Sequence, residues 1–193
     1  PLPYALSGIA LMMQKQFAEA LPLFEKGVEL TDDKPELRSQ FYSYLADCYY
    51  NLDSVERAFK MFDEVLKINP NDILVLNNYA YYLSLRNERL ALAEKMSSQA
   101  VAMESDNATY LDTYAWILFE KGNYAEARIY IDDAIKNTKP EEESSVVFEH
   151  CGDIYFMTGD VEGALKYWKK ALELGTESKT LKQKIEKKKY IAE

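Results

Sequence analysis

An alanine recurs along this chain at nearly regular intervals, and this repetition restricts the fold more than any other feature. The steps between successive copies are 38, 35, 34 and 37 residues. The recurring alanines are Ala20, Ala58, Ala93, Ala127 and Ala164. Four residues later comes a large side chain, Phe24, Phe62, Ile131 or Trp168, except in the third copy, which has Ser97. A period of this length is typical of stacked helix pairs.

A second small residue stands twelve or thirteen positions before each alanine. These residues are Gly8, Ala46, Ala80, Ala115 and Gly152, and Leu11, Tyr49, Leu83, Leu118 and Tyr155 follow them by three positions. In the fourth copy, YAWILFEKGNYAEA, the two small residues flank a Lys-Gly-Asn break. Gly and Ala let two helix backbones approach closely, while larger side chains fill the space beside them. Each copy therefore predicts two short helices in contact.

The pattern resembles the tetratricopeptide repeat (TPR), a helix pair with a period of 34 residues. The resemblance covers residues 1–178, with repeats at about 1–34, 39–72, 73–106, 108–141 and 145–178. The fold it implies is all-α: a right-handed α-solenoid of five TPR helix pairs, followed by a polar C-terminal capping helix at 179–193. We expect helices near 3–14, 17–30, 36–50, 54–68, 72–86, 89–103, 107–120, 124–137, 143–157 and 161–174. Pro22 is expected to loosen the second of these.

The net charge of −9 argues against nucleic acid as a partner of the main body, because phosphates would be repelled. Residues 177–193 hold six lysines and three glutamates, so residues 1–176 carry −12. A basic patch for nucleic acid or membrane is the alternative to a solvated capping helix whose Leu181 and Ile185 face inward. The apolar opening meets Lys15 too early to span a membrane.

Motifs for catalysis are lacking in the sequence. It contains no Gly-rich phosphate loop, no nucleophile elbow and no H-E-x-x-H, so we expect no catalytic residue, cofactor or metal. The single histidine, His150, is interpreted as a surface residue hydrogen-bonded to Asp153, with a weak metal contact as the alternative. Cys48 and Cys151 match no metal or redox spacing and are predicted to be small buried hydrophobes.

A second face of the first helices carries aromatic and polar residues. In 109–120, Asp112, Trp116 and Phe119 lie together, about a third of a turn from the apolar stripe. The TPR resemblance implies that this face lines a concave peptide-binding groove. The implied groove residues are Tyr44, Asp47, Asn51, Asn77, Asn78, Tyr81, Asp112, Trp116, Phe119, Glu149 and Asp153. The alternative is that the aromatic side chains pack on neighbouring repeats, and both interpretations stay open for Tyr50 and Phe156.

We therefore expect a non-catalytic protein–protein interaction scaffold that binds an extended peptide in the groove. Since the groove positions include Asp and Glu but no Lys or Arg, a neutral or basic ligand fits better than an acidic one. The alternative is a structural self-assembly module within a longer TPR protein. The chain also resembles the TPR arrays of bacterial envelope proteins, often lipid-anchored, which implies a periplasmic or membrane-attached parent protein.

The first helix is apolar on nearly all sides. Leu2, Leu6, Ile9 and Met13 add apolar surface to the side that faces the core. A terminal repeat normally turns a polar face to solvent. The sequence therefore predicts that this chain is cut from a longer array. Without the preceding repeats, the first helix is expected to pack against another copy of the chain.

Overall fold

The structure, a computed structural model, describes residues 1–176 and 178–192, and all regular elements in these residues are helices. They are α1 (Leu2–Met13), α2 (Phe17–Glu29), α3 (Pro35–Asn51), α4 (Val55–Ile68), α5 (Ile73–Leu85), α6 (Leu90–Met103), α7 (Ala108–Glu120), α8 (Tyr124–Asn137), α9 (Ser145–Met157), α10 (Val161–Leu174) and α11 (Leu181–Lys187), with a 3₁₀ turn at Pro140–Glu142. The bounds of α1–α10 lie within two residues of the predicted ones. None of these helices is long and apolar enough to cross a membrane.

The chain forms two compact units, Pro1–Tyr79 and Ala80–Glu193. In unit 1, consecutive helices pack in pairs, α1 on α2, α2 on α3 and α3 on α4. The core of this unit is built from Phe24, Phe41 and Leu45. At its end, the first half of α5 places Tyr79 against Phe62, with ring centroids 5.3 Å apart.

Unit 2 contains the remainder of α5 and helices α6–α11. Here α7 packs on α8 and α9 on α10, α11 packs on α10, and α7 also contacts α9. Two core clusters fill the spaces between them, one of which joins Leu118, Ile131 and Ile154, while the other contains Trp168 and Leu181. Because α7 and α9 are the first helices of successive repeats, their second faces lie side by side.

The recurring alanines lie at buried positions. All five recurring alanines are 0% exposed. The small residues upstream receive the large side chains of the same repeat: a Cβ on Gly8 would lie 2.4 Å from Phe24 Cε1, and one on Gly152 would lie 2.3 Å from Trp168 Cδ1. Such distances leave no room for even one methyl group, so close backbone approach explains why glycine stands there.

Two other expectations have different outcomes. Pro22 lies inside α2 without interrupting it, since the helix continues to Glu29; the missing N–H removes one intrahelical hydrogen bond but the rest of the helix remains. Cys48 and Cys151 are both buried, as predicted. Burial raises the pKa of the Cys48 thiol to about 12 and also raises that of Cys151, so both behave as apolar side chains.

Candidate functional site

A stack of aromatic rings runs along the face that α7 and α9 share. Trp116 stacks on His150 with centroids 4.1 Å apart and planes 15° apart. On its other side it stacks on Phe119, at 4.7 Å and 13°. Tyr81 of α5 extends the row beyond His150, at a centroid distance of 6.3 Å. Trp116 and Phe119 lie three positions apart on α7, and this spacing puts both rings on one side of the helix.

The histidine in this row is hydrogen-bonded to a carboxylate. His150 is 6% exposed, and its Nδ1 lies 3.0 and 3.2 Å from the two oxygens of Asp112. Burial alone would lower the pKa of His150, but the carboxylates of Asp112, Asp153 and Glu149 outweigh it and raise the pKa above its usual value. These carboxylates thus stabilise the charged imidazolium more than water does, and in that form Nδ1–H donates to Asp112.

Next to the row, a lysine is buried between two carboxylates. Lys184 of α11 is 2% exposed, and its Nζ donates to Glu149 Oε1 at 2.8 Å and to Asp153 Oδ2 at 2.7 Å. The indole N–H of Trp168 donates to the other oxygen of Asp153 at 2.8 Å. Burial raises the pKa of Asp153 to about 6 even though these donors act in the opposite direction. The three charged groups are satisfied among themselves, as buried charges must be.

The segment after α11 returns to the aromatic row. Tyr190 meets Phe119 edge-on, with centroids 5.5 Å apart and planes at 72°. The Nζ of Lys184 lies 5.4 Å from the centroid of the Tyr190 ring. The row in unit 2 thus extends from Tyr81 through His150, Trp116 and Phe119 to Tyr190.

The predicted groove residues divide between the two units. In unit 2, Tyr81, Asp112, Trp116, Phe119, Glu149 and Asp153 come together in the arrangement just described. Within it, Asp112, Glu149 and Asp153 already have partners in the chain itself, so the partly exposed rings of Tyr81 and Trp116 offer the contact surface. Tyr81 and Trp116 are half-buried, and Phe119 is 5% exposed.

In unit 1 the predicted residues do different things. Tyr44 stacks on Phe24 at 4.9 Å and so belongs to the packing between α2 and α3. Asn51 is exposed and donates its Nδ2 to the Asp47 carbonyl at 2.9 Å. Asn77 is buried and donates its Nδ2 to Asn78 Oδ1 at 3.3 Å. The Oδ1 of Asn77 is also buried and has no hydrogen-bond partner among the described residues.

Three residues of the site were assigned other roles from the sequence. His150 was predicted at the surface with Asp153; it is buried and bonds to Asp112, 38 positions away, because α7 and α9 lie side by side. Lys184 and Tyr190 were placed in a polar capping helix at 179–193, whereas α11 ends at Lys187. A signal for Lys184 existed, since it follows Leu181 by three positions and shares its helix face.

The arrangement has one polar group without a partner. The indole N–H of Trp116 is buried and has no hydrogen-bond acceptor among the described residues. A buried donor left unpaired costs about 1–3 kcal/mol. Across the same described residues, no group of three or more His, Cys, Asp or Glu side chains is placed to hold a metal ion.

Models of the tetratricopeptide repeat match residues 11–79 and 83–142. The chain is 29% identical over 142 residues to the TPR repeat-containing protein PA4667 of Pseudomonas aeruginosa, a match covering 73% of this chain and 23% of that protein. It spans roughly a quarter of the length of the curated relatives it matches.

Solved structures agree on the fold. The thermophilic TPR protein TTC0263 of Thermus thermophilus superimposes with a TM-score of 0.73 at 18% identity, covering 97% of both chains. PilW, described as a widely conserved type IV pilus biogenesis factor, gives a TM-score of 0.77 at 18% identity, covering 96% of this chain and 84% of that one. The architecture is an all-α solenoid of TPR helix pairs.

Proposed function

This chain belongs to the tetratricopeptide repeat family, and from that premise we propose that it is a non-catalytic scaffold whose unit 2 binds an extended segment of a partner protein along α7 and α9. The family and its fold are in general those of protein–protein interaction scaffolds. We propose in addition that the partner binds as an extended peptide and that the residues of the aromatic row contact it.

The observation that carries the proposal is the environment of Trp116. Its ring is half-buried between His150 and Phe119, and its buried N–H lacks an acceptor among the described residues. A large, partly exposed ring that stacks on two others suits a ligand that offers an apolar group, and tryptophan is enriched among residues that dominate binding energy. Because the indole nitrogen itself is buried, a ligand carbonyl would reach it only if the ring shifts.

The charges of the site support a neutral or basic segment. Asp112, Glu149 and Asp153 face Lys184 and His150, so the three carboxylates outnumber the basic groups and the cluster is net negative. The chain as a whole carries −9. A basic segment would gain from this field and an acidic one would be repelled, with an effect that weakens as salt increases.

Selection from a random peptide display library on the immobilised protein tests the proposal. We expect selected peptides to lose at least tenfold in affinity for Trp116→Ala, about 1.4 kcal/mol or more. Tyr81→Ala is the second variant, because its half-buried ring lies at the end of the row and can be removed with less effect on folding. Ile129→Ala is the matched control, since that side chain is 62% exposed on α8.

Peptides that bind all three variants as they bind the parent protein would move the site away from this face. The alternative function is self-assembly. It would be favoured if no peptide is selected and the molecular mass of the protein in solution rises with its concentration.

We also propose a location for the longer protein of which this chain would be a part, here called the parent protein. The resemblance to bacterial envelope TPR arrays, together with the likeness in fold to a pilus biogenesis factor, supports a periplasmic or membrane-attached parent. Fractionation of cells that express the complete parent protein tests it: recovery in the periplasmic or membrane fraction is expected, and recovery with cytoplasmic markers would contradict it.

A further inference from the structure

The segment after α11 is turned back toward the aromatic row by one left-handed residue. Lys188 ends the helix with φ 49° and ψ 45°, and the amide of Lys189 donates to the carbonyl of Lys184 at 3.2 Å. This termination reverses the chain direction within two residues. Residues 188–192, which we name the strap, therefore return over unit 2.

The strap supplies the last ring of a row that is otherwise built from α5, α7 and α9. Tyr190 lies edge-on against Phe119 at 5.5 Å and packs on the core cluster that contains it. Edge-to-face contact at this distance is a favourable aromatic geometry. The strap thus brings an aromatic side chain to the row from a non-helical segment, as the proposed function requires of a partner.

The strap is more exposed than the residues that anchor the helix before it. In α11, Leu181 is 0% exposed and Lys184 is 2% exposed, the latter with two ion pairs. In the strap, Lys188 and Lys189 are exposed, while Tyr190 and Ile191 are only half-buried. Because the strap is more exposed than the residues that fix α11, it can leave the row while α11 stays in place.

We propose that the strap occupies in cis the position of the partner's segment, and that the partner carries an aromatic residue preceded by lysines, as in Lys-Lys-Tyr-Ile-Ala. This inference rests on the proposed function, and it names the partner chemistry and the competitor that the partner displaces. The charge agrees with it, since the strap carries two lysines and lies on unit 2, whose residues 80–176 hold 17 Asp and Glu against 10 Lys and Arg, a net charge of −7. A segment tethered this closely competes at an effective concentration of roughly mM, so a free peptide binds weakly until the strap is removed.

The test measures binding of fluorescein-labelled Lys-Lys-Tyr-Ile-Ala to the parent protein, Tyr190→Ala and Tyr190→Phe. We expect Tyr190→Ala to bind at least about tenfold more tightly than the parent, because the tethered competitor is weakened. Tyr190→Phe is the matched control, since it keeps the ring and should bind as weakly as the parent. A second probe, Lys-Lys-Ser-Ile-Ala, should bind none of the three proteins.

A second readout follows the row without any ligand. Acrylamide quenching of tryptophan fluorescence reports Trp116, because Trp168 is 0% exposed. Tyr190→Ala should increase quenching and Tyr190→Phe should not. If Tyr190→Ala changes neither quenching nor peptide binding, the strap does not cover the row and the inference is overturned. If quenching rises but the peptide still does not bind, the aromatic-plus-lysine partner chemistry is overturned.

Peptide selection on the parent protein and on Tyr190→Ala distinguishes failure of the strap inference from failure of the proposed function. If displayed peptides bind the parent and Tyr190→Ala equally well and depend on Trp116, the proposed function stands and the strap inference falls. If neither protein selects any Trp116-dependent peptide, the proposed function itself fails.

Discussion

Lys184 shows how strongly a single residue ties α11 to the site. Its ammonium group is buried between Glu149 and Asp153, so Lys184→Met would leave two buried carboxylates without their cation. Removal of one partner from a buried ion pair costs about 3–5 kcal/mol. We expect a loss of that order in the free energy of unfolding, measured by urea denaturation. Lys182→Met, the same change at an exposed position of α11, should stay within about 0.5 kcal/mol; equal losses from both would show that the ion pairs add nothing.

His150 makes stability depend on pH near neutrality. Burial lowers its pKa, but Asp112, Asp153 and Glu149 raise it more, so the folded pKa lies above the ordinary 6.5. The folded state then binds the proton more tightly than the unfolded state. The resulting stability is fully present below pH 6.5 and is lost as pH rises through the raised pKa, by at most about 1.4 kcal/mol per pH unit.

The variant that checks this is His150→Asn, whose side-chain amide corresponds in position to the imidazole Nδ1, so it can still donate to Asp112 but does not titrate. Urea unfolding at several pH values from 5.5 to 9 should show the decline in the parent protein and a flatter profile in the variant. Parallel profiles would mean that other groups set the pH dependence.

The sequence predicts a residue of the site when the pattern that reveals it lies within one helix, and fails when it depends on contacts between helices. Trp116 and Phe119 were found because their spacing on one helix shows that they share a face. The partners of His150 and Lys184 were not found, because they depend on which helices adjoin. Asp112 lies 38 positions from His150, and Glu149 lies 35 from Lys184, so each pair is separated by about one repeat. The pairing required the repeat period to be applied to polar side chains as well as to the core.

At the scale of helices, the small residue of each second helix determines how closely a pair can pack. Ala127 is 0% exposed in a cluster with Ala115 and Ile131. Ala127→Leu would force three extra carbon atoms into this contact and should cost about 1–3 kcal/mol. Thermal unfolding followed by circular dichroism measures it. Ala125→Leu, two positions earlier on the exposed side of α8, is the control and should leave the midpoint nearly unchanged. If both variants melt with the parent, the contact is looser than the structure indicates.

Helix bounds were predicted closely because breaks, caps and periodicity are local properties of the sequence. The C-terminal element was predicted less well. Leu181 and Ile185 indicated a helix, but the lysines around them suggested that it would continue to the end of a polar segment. Lys188 instead adopts a left-handed conformation and ends the helix. A non-glycine residue in that conformation has no reliable sequence signal.

For the molecule as a whole, the net charge indicates which kind of partner is favoured, but it does not indicate which charged side chains are buried. Of the six lysines in 177–193, Lys184 is buried and the other five are exposed or half-buried. Those five fit the interpretation of a solvated face, which stays a prediction with the nucleic-acid and membrane alternatives. The sequence could not distinguish the sixth, because burial of one lysine depends on two carboxylates supplied by another repeat.

Self-association through α1 is the prediction that concerns the whole molecule. Leu2, Leu6 and Met13 are 67%, 60% and 83% exposed, and their spacing places them on one side of the helix. Grouped apolar side chains of this kind mark surfaces that bind another protein, whereas single ones do not. We expect the mass measured by sedimentation to rise with concentration, and Leu6→Glu together with Met13→Glu to keep the chain monomeric. Ile129→Glu, at an isolated exposed position in α8, should leave the association unchanged. A parent chain that sediments as a monomer at every concentration, with the same profile as the double variant, would remove α1 as a contact surface between copies of this chain and weaken the self-assembly alternative.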